Sequence, residues 1–319
     1  MVSFTLKAAP MTSQNLKSRF LALPDNLKGI ATLMVAAVGF SLMVALIKFT
    51  GQRLHVTQIL LVRQLVMVMI VLPGIVAHFP GSLKTTRPDL QFARIIFALS
   101  AMTFGFYAVI HMPLADATAI GFAKSFFVTI AAIWFLKEKV GPRRWIAVAI
   151  GFGGVMLMLR PGTDGFNPIG IYALVGSASA GIVMVIIRKL AQTDTPKTIL
   201  TYQAFAVALC VALPAWYYWL PPTLSEWALL IGIGIVSYGA QMLNVYAYKW
   251  GEASLLASLD YVRLLYSTLF GYMLFDQLPG PYTWIGALII VGASIYTIHR
   301  ERARKQTLAR SPSGRGYSS

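Results

Sequence analysis

Charge is scarce in this chain. Only 12% of its 319 residues are charged, against about 25% in soluble domains. That excludes an ordinary water-facing surface, and no polar stretch is long enough to make a second domain. Cysteine is almost absent. Cys210 is the single one, so neither an intramolecular disulfide nor a cysteine-built metal cage can form. It lies in an apolar run and reads as a small core residue. Four histidines are scattered at His55, His78, His111 and His299, with no H-E-x-x-H and no Cys/His cluster, which excludes a metal site by pattern. No G-x-x-x-x-G-K-[ST] string occurs, and the glycines do not follow strands in a βαβ context, which excludes a nucleotide cradle. No cofactor is expected. Acidic residues are also few, 11 against 27 Lys and Arg, for a net charge of +16.

What is present is hydrophobic: 57% of the residues, with a mean hydropathy of +0.68. Ten apolar segments, each bounded by charge, Pro or Gly, run Lys28–Thr50, Thr57–Phe79, Gln91–Met112, Leu114–Leu136, Arg144–Leu159, Pro168–Ile187, Thr198–Leu220, Ser225–Tyr248, Ala253–Phe275 and Tyr282–Ile298. Most approach the ~20 residues a helix needs to cross a ~30 Å bilayer core. The runs are continuous, whereas barrel strands alternate over about ten residues. The expected fold is an all-α membrane protein of ten transmembrane helices, antiparallel to their neighbours because the links are short.

The basic residues orient it. With the N-terminus in the cytoplasm, 21 of the 27 fall on the inner side, only Arg53 and Arg160 on the outer, and Lys48, Arg63, Lys124 and Arg263 within helices. Such a split puts both termini inside a cell inner membrane. It also turns the net charge into a topology signal, with the lipid bilayer and not nucleic acid as partner. Residues 1–27 lack an apolar h-region with a cleavage site and read as a cytoplasmic tail. Residues 300–319 form a basic cytoplasmic tail suited to anionic headgroups.

The chain repeats itself. LKEKVGPRRWIAVAIGFGGV from Leu136 matches LFDQLPGPYTWIGALIIVGA from Leu274, pairing Gly141 with Gly280 and Trp145 with Trp284 at an offset of 139, and Glu138 with Asp276 after one slip. ADATAIGF from Ala115 similarly matches EASLLASL from Glu252. The two units are 28–160 and 161–299. Five spans each would invert the second relative to the first, an arrangement of secondary transporters with a midplane site.

At these motifs the chain resembles the drug/metabolite transporter superfamily, in particular its EamA-type branch. The resemblance covers about Lys28 to His299. It implies a ten-helix inverted-repeat fold and transport of small metabolites. Similar sequences move amino acids, nucleotide-like metabolites, vitamins, metallophores and drugs, so the likeness bears on fold more than on substrate. Many relatives have proline in the middle of the fourth helix, where FAKSFF here places Lys124 and Ser125.

Lys124 and Arg263 are related by the repeat offset. Each lies ten residues into its span, ~15 Å deep, from opposite sides. A cation there costs ~2.5–3.5 kcal/mol on insertion scales. Two of them suggest a central site for an anionic or carboxylate-bearing small-molecule substrate. The alternative is pairing inside the protein, since Asp260 stands three residues before Arg263. Arg63 is a further substrate candidate, or snorkels to the interface, as Lys48 should. Asn244 shares a face with Gln241 and Tyr248, suited to ligand or to interhelical hydrogen bonds. Tyr261 and Tyr266 flank Arg263 and either stack on a ligand or pack. Asp116 and Asp260 are candidates for proton coupling. Trp216, Tyr217, Tyr218 and Trp219 form an interfacial belt. The glycine pairs Gly151 with Gly154, Gly232 with Gly234 and Gly286 with Gly292 permit close helix approach.

The reading is therefore a secondary transporter and not an enzyme, working by alternating access, with homodimerisation left open. A non-transporting receptor or scaffold is the first alternative. A membrane acyltransferase, from the H-x-x-x-x-D spacing of His111 and Asp116, is the second.

Overall fold

The computed structural model describes residues 23–77, 85–136, 142–163, 165–190, 192–250, 256 and 259–310. The expected tail up to residue 22, the basic Lys84, Glu138 and Gly141 of the first repeat motif, Glu252 with the start of the ninth segment, and Arg315 lie outside them.

Among the described residues the chain is all helix, with no strand. The helices are α1 Asp25–Thr50, α2 Val56–Val76, α3 Pro88–His111, α4 Leu114–Gly121, α5 Lys124–Leu136 and α6 Pro142–Leu159. They continue with α7 Ile169–Leu190, α8 Pro196–Tyr217, α9 Leu224–Trp250, α10 Val262–Phe275 and α11 Pro281–Arg310. Seven helical stretches are long and apolar enough to cross a membrane, α4 and the start of α5 counting as one; Trp145–Leu159, Val262–Phe275 and Pro281–Tyr296 are shorter apolar helices. Boundaries follow local chemistry. His55 caps α2 by accepting from the Thr57 amide, Thr195 caps α8 with Pro196 at its first turn, and Asp276 ends α10 in the left-handed region at φ 51°.

Two expected spans are not continuous. The fourth breaks at Phe122–Ala123, directly before Lys124, and the ninth turns at Asp260–Tyr261, directly before Arg263. At both places the backbone tightens to i→i+3 bonds: Ser125 to Phe122 at 3.1 Å, Phe126 to Ala123 at 3.0 Å, Arg263 to Asp260 at 3.1 Å and Leu264 to Tyr261 at 2.9 Å. The tenth span also differs. Its helix runs on past Ile298 through ERARKQTLAR to Arg310, because that stretch is rich in strong helix formers.

The dominant packing pairs are α3 with α7, α1 with α9, α6 with α11, α2 with α8, α5 with α7 and α10 with α1. Between α6 and α11 the backbones nearly touch. A Cβ on Gly286 would sit 2.7 Å from the Gly154 carbonyl, and one on Gly154 2.9 Å from that of Gly286. Large apolar side chains on many helices face outward, among them Met69, Phe92, Leu209, Leu213, Leu265 and Leu288. Water would penalise such a surface and a hydrocarbon solvent would not. Cys210 belongs to it: it is exposed on α8, not a core residue.

Candidate functional site

A cavity of about 250 Å³ lies at the centre, walled by α1, α3, α4, α7 and the starts of α5 and α10. Lys124 and Arg263 both line it, with Phe40, Phe106, Phe122 and Ser267. The two helix breaks deliver them there. Gly181 of α7 makes room for the first: a Cβ on it would lie 2.9 Å from the Lys124 carbonyl. Ser177 donates to the Ile120 carbonyl just before that break, at 3.0 Å. Ser41 donates to the Arg263 carbonyl at 3.3 Å, tying α1 to the second break.

Asp260 stands between the two cations. Its carboxylate is 2.7 Å from Arg263 Nε and 3.9 Å from Lys124 Nζ. The Arg263 guanidinium also lies over the Phe40 ring, 4.1 Å from its centroid, a cation–π geometry. One carboxylate thus serves two cations, and when all three are ionised the cluster keeps one positive charge. Beside them Phe122 and Tyr261 meet ring to ring, with centroids 4.7 Å apart. The Tyr261 hydroxyl interacts with Ser125 and Ser294, whose oxygens are 3.0 Å apart.

Lys124, Asp260, Tyr261 and Arg263 are therefore brought together. Arg63 is adjacent. It is 4% exposed and does not snorkel: Nε donates to Ser237 at 2.8 Å, Nη1 to Gln64 at 2.9 Å, and the guanidinium faces the Phe106 ring. Asp260, Tyr261, Arg63, Asn244 and Asp116 stand outside the cavity lining itself. Asn244 is on α9, where its Oδ1 is buried without a hydrogen bond. Asp116 accepts from Thr283 Oγ1 at 2.7 Å. Lys48, expected at the interface, is buried and donates to the carbonyls of Met112 at 2.6 Å and Val109 at 3.3 Å. It caps the end of α3, as cations at helix C-termini do. Arg94, counted from sequence with the inner segments, is 1% exposed within α3 and bonds to Ile199 O and Gln203. His111 and Asp116 take different hydrogen-bond partners. His111 Nδ1 donates to the Tyr107 carbonyl at 2.8 Å, while Asp116 is engaged by Thr283.

Sequence reasoning missed Phe122, Phe40, Ser41 and Ser267. Phe122 could have been found, because it stands at the repeat offset from Tyr261. Phe40 and the serines carry no comparable signal in a run of apolar and small residues.

An all-helical, lipid-facing bundle around a small charged and aromatic cavity defines a polytopic membrane protein of the transporter class. The chain belongs to the EamA-like transporter family, which matches it twice, over residues 27–160 and 168–298. An S-adenosylmethionine uptake transporter of Rickettsia bellii is 30% identical over 274 residues, spanning 86% of this chain and 94% of that one. A riboflavin transporter of Vibrio cholerae is 27% identical over 272 residues, 83% of this chain and 91% of the other. A pseudopaline exporter of Pseudomonas aeruginosa is 28% identical over 274 residues, 84% and 94% of the two chains. A crystal structure with 19% sequence identity superposes with a TM-score of 0.59, covering 88% of this chain and 99% of its own; it supports the fold alone.

Proposed function

We propose that this protein is a secondary transporter of a bacterial inner membrane, with both termini cytoplasmic, and that it carries a small carboxylate-bearing metabolite. The observation that carries this reading is the shared carboxylate. Asp260 contacts both Arg263 and Lys124, and those two cations line an open cavity. A substrate carboxylate would take over Lys124 while Asp260 keeps Arg263, leaving the centre close to neutral. Paired charges at this depth are far cheaper than free ones. The aromatic walls would hold the rest of the molecule.

Ten spans in two inverted five-helix units suit the packing. Taking α4 and α5 as one span, the pairs α1 with α9 and α7 with α3 are exchanged when the halves are swapped, as are α10 with α1 and α5 with α7. The pairs α2 with α8 and α6 with α11 map onto themselves. Alternating access would rock one unit against the other about this cavity. At about 250 Å³ the cavity is below the ~300–1,000 Å³ usual for small-molecule sites. It fits an amino-acid-sized group as it stands and must widen for a nucleoside- or flavin-sized solute of the kind the relatives' names record.

The test is counterflow in proteoliposomes, with labelled S-adenosylmethionine and riboflavin as first probes and a set of labelled amino acids beside them. Lys124→Met should abolish the counterflow seen with the native protein while leaving insertion and the melting profile unchanged. Undiminished transport by that variant removes Lys124 from the site. Specific binding without any counterflow would favour a receptor instead.

A further inference from the structure

A second cavity, of about 450 Å³, lies at the end of the bundle where α1 meets α2, α3 meets α4 and α8 meets α9. It is larger than the central one and falls within the range of small-ligand sites. Its walls are rings: His55, Tyr107, His111, Tyr217, Tyr218 and Trp219. They are ordered into two stacks. His55 lies on Tyr218 with centroids 4.3 Å apart and 21° between planes, and His111 on Tyr107 at 4.2 Å and 30°.

The rim is pinned. Gln58 holds the Leu220 backbone at both ends, donating to its carbonyl at 2.8 Å and accepting from its amide at 3.2 Å. Arg53 is committed to Glu226 and to the Pro221 carbonyl, the latter at 3.1 Å. Its charge is therefore already matched, and the pocket has no spare cation for an anionic guest.

The hydrogen bonds also set the imidazole tautomers. His55 Nδ1 accepts from the Thr57 amide at 3.4 Å and stands 2.7 Å from its hydroxyl. Its proton is then on Nε2, a donor. His111 Nδ1 faces a carbonyl, at Tyr107 O, and must carry the proton, so its Nε2 is an acceptor. Two of the lining rings thus carry one free donor and one free acceptor beside flat π-faces. An interfacial aromatic belt needs stacking surface and wet polar tips, but it does not need this complementary pair.

We propose that this pocket is a second ligand site, distinct from the central cavity, that takes a neutral, planar, nitrogen-containing heteroaromatic ring. One wall connects the two sites. Phe106 and Val109 of α3 line the central cavity, while Tyr107, Ile110 and His111 of the same turns line this one. A ring held here lies one helix away from the charged centre, and in the orientation proposed above it is held on the outer face.

The experiment uses the full chain in lipid nanodiscs and measures binding of radiolabelled adenine, a purine with ring acceptors and an exocyclic donor. Indene, flat and similar in size but without nitrogen, serves as the control ligand. Adenine should bind the native protein and Lys124→Met equally, at least tenfold tighter than indene, and at least tenfold weaker to His111→Ala and Tyr218→Ala. His111 is exposed, so its removal leaves the buried core intact and decides the matter if Tyr218→Ala fails to fold. The proposal is overturned if adenine does not bind, if indene binds as well, or if His111→Ala binds adenine normally. Loss of adenine binding in Lys124→Met alone would place the ring in the central cavity and also overturn it. Because Lys124→Met separates the sites, failure here leaves the transport reading untouched.

Discussion

Phe122 and Tyr261 stand 139 positions apart in sequence and meet ring to ring at the centre of the molecule, each two residues before a cavity-lining cation. The contact joins the two helix breaks, so it fixes where Lys124 and Arg263 sit relative to each other. Aromatic pairs contribute ~0.5–1.5 kcal/mol beyond their buried area, enough to position a site but not to hold the helix bundle. Phe122→Ala should therefore reduce proteoliposome counterflow about tenfold while lowering the melting temperature by only a few degrees. Tyr261→Phe keeps the ring and loses the hydroxyl that meets Ser125 and Ser294, and should be the milder change. A Phe122→Ala protein with native transport would show that the ring contact is packing alone.

Asp260→Asn separates two roles for the central carboxylate. If Asp260 holds the place of a substrate carboxylate at Lys124, its neutral variant removes the competitor. Carboxylate-bearing probes should then bind more tightly, by about tenfold or ~1.4 kcal/mol, measured by equilibrium dialysis. Counterflow should slow, because release loses the group that displaces the substrate. Weaker binding would mean that Asp260 contacts a positive group on the substrate. The melting temperature should fall in either case, since breaking an ion pair at one partner is destabilising.

Much of the architecture was legible because bilayer physics writes long apolar runs, and because a repeat writes itself twice. Lys124 and Arg263 stood out for the same reason: a cation in the middle of such a run has few innocent explanations. Helix breaks were not legible. FAKSFF and LDYVRL contain neither Gly nor Pro, and the tightening at Phe122–Ala123 and Asp260–Tyr261 depends on what packs beside them. The burial of Lys48, Arg63 and Arg94 was not legible, because sequence reports a residue's distance from a segment end but not the face it occupies. Lys48 found the carbonyls at the end of α3, and Arg94 the Ile199 carbonyl and the Gln203 side chain of α8. Those acceptors come from other helices and have no sequence signature.

The α6–α11 contact gives a packing prediction. A Cβ on Gly286 would meet Met158 Cγ at 2.3 Å as well as the Gly154 carbonyl at 2.7 Å. The methionine can move, but the carbonyl belongs to a rigid helix. Overpacking of this kind costs ~1–3 kcal/mol. Gly286→Ala should lower the melting temperature measurably in detergent. Gly292→Ala, on the same helix with nothing within 4 Å of the added atom, should not. Equal effects of the two would show that helix propensity and not close approach governs this pair.

His55 supplies a pH prediction outside the spans. Burial, and then the neighbouring His111, hold its pKa below the ordinary value. Thr57 bonds its Nδ1, Tyr218 stacks on its ring, and Arg53 lies in the same pocket wall; none of these is an acid that would favour the charged form. The unfolded chain therefore binds this proton more readily than the folded one, and stability rises with pH across the interval between the two pKa values. The contribution is complete above the unfolded value of ~6.5. It declines as the pH drops below that value and is lost once the folded pKa is passed, where protonation also removes the acceptor that caps α2. Melting temperatures between pH 7.5 and pH 5 should fall more steeply for the native protein than for His55→Gln, whose amide oxygen can still accept from Thr57 and does not titrate. The same slope in both proteins would assign the acid sensitivity to other groups.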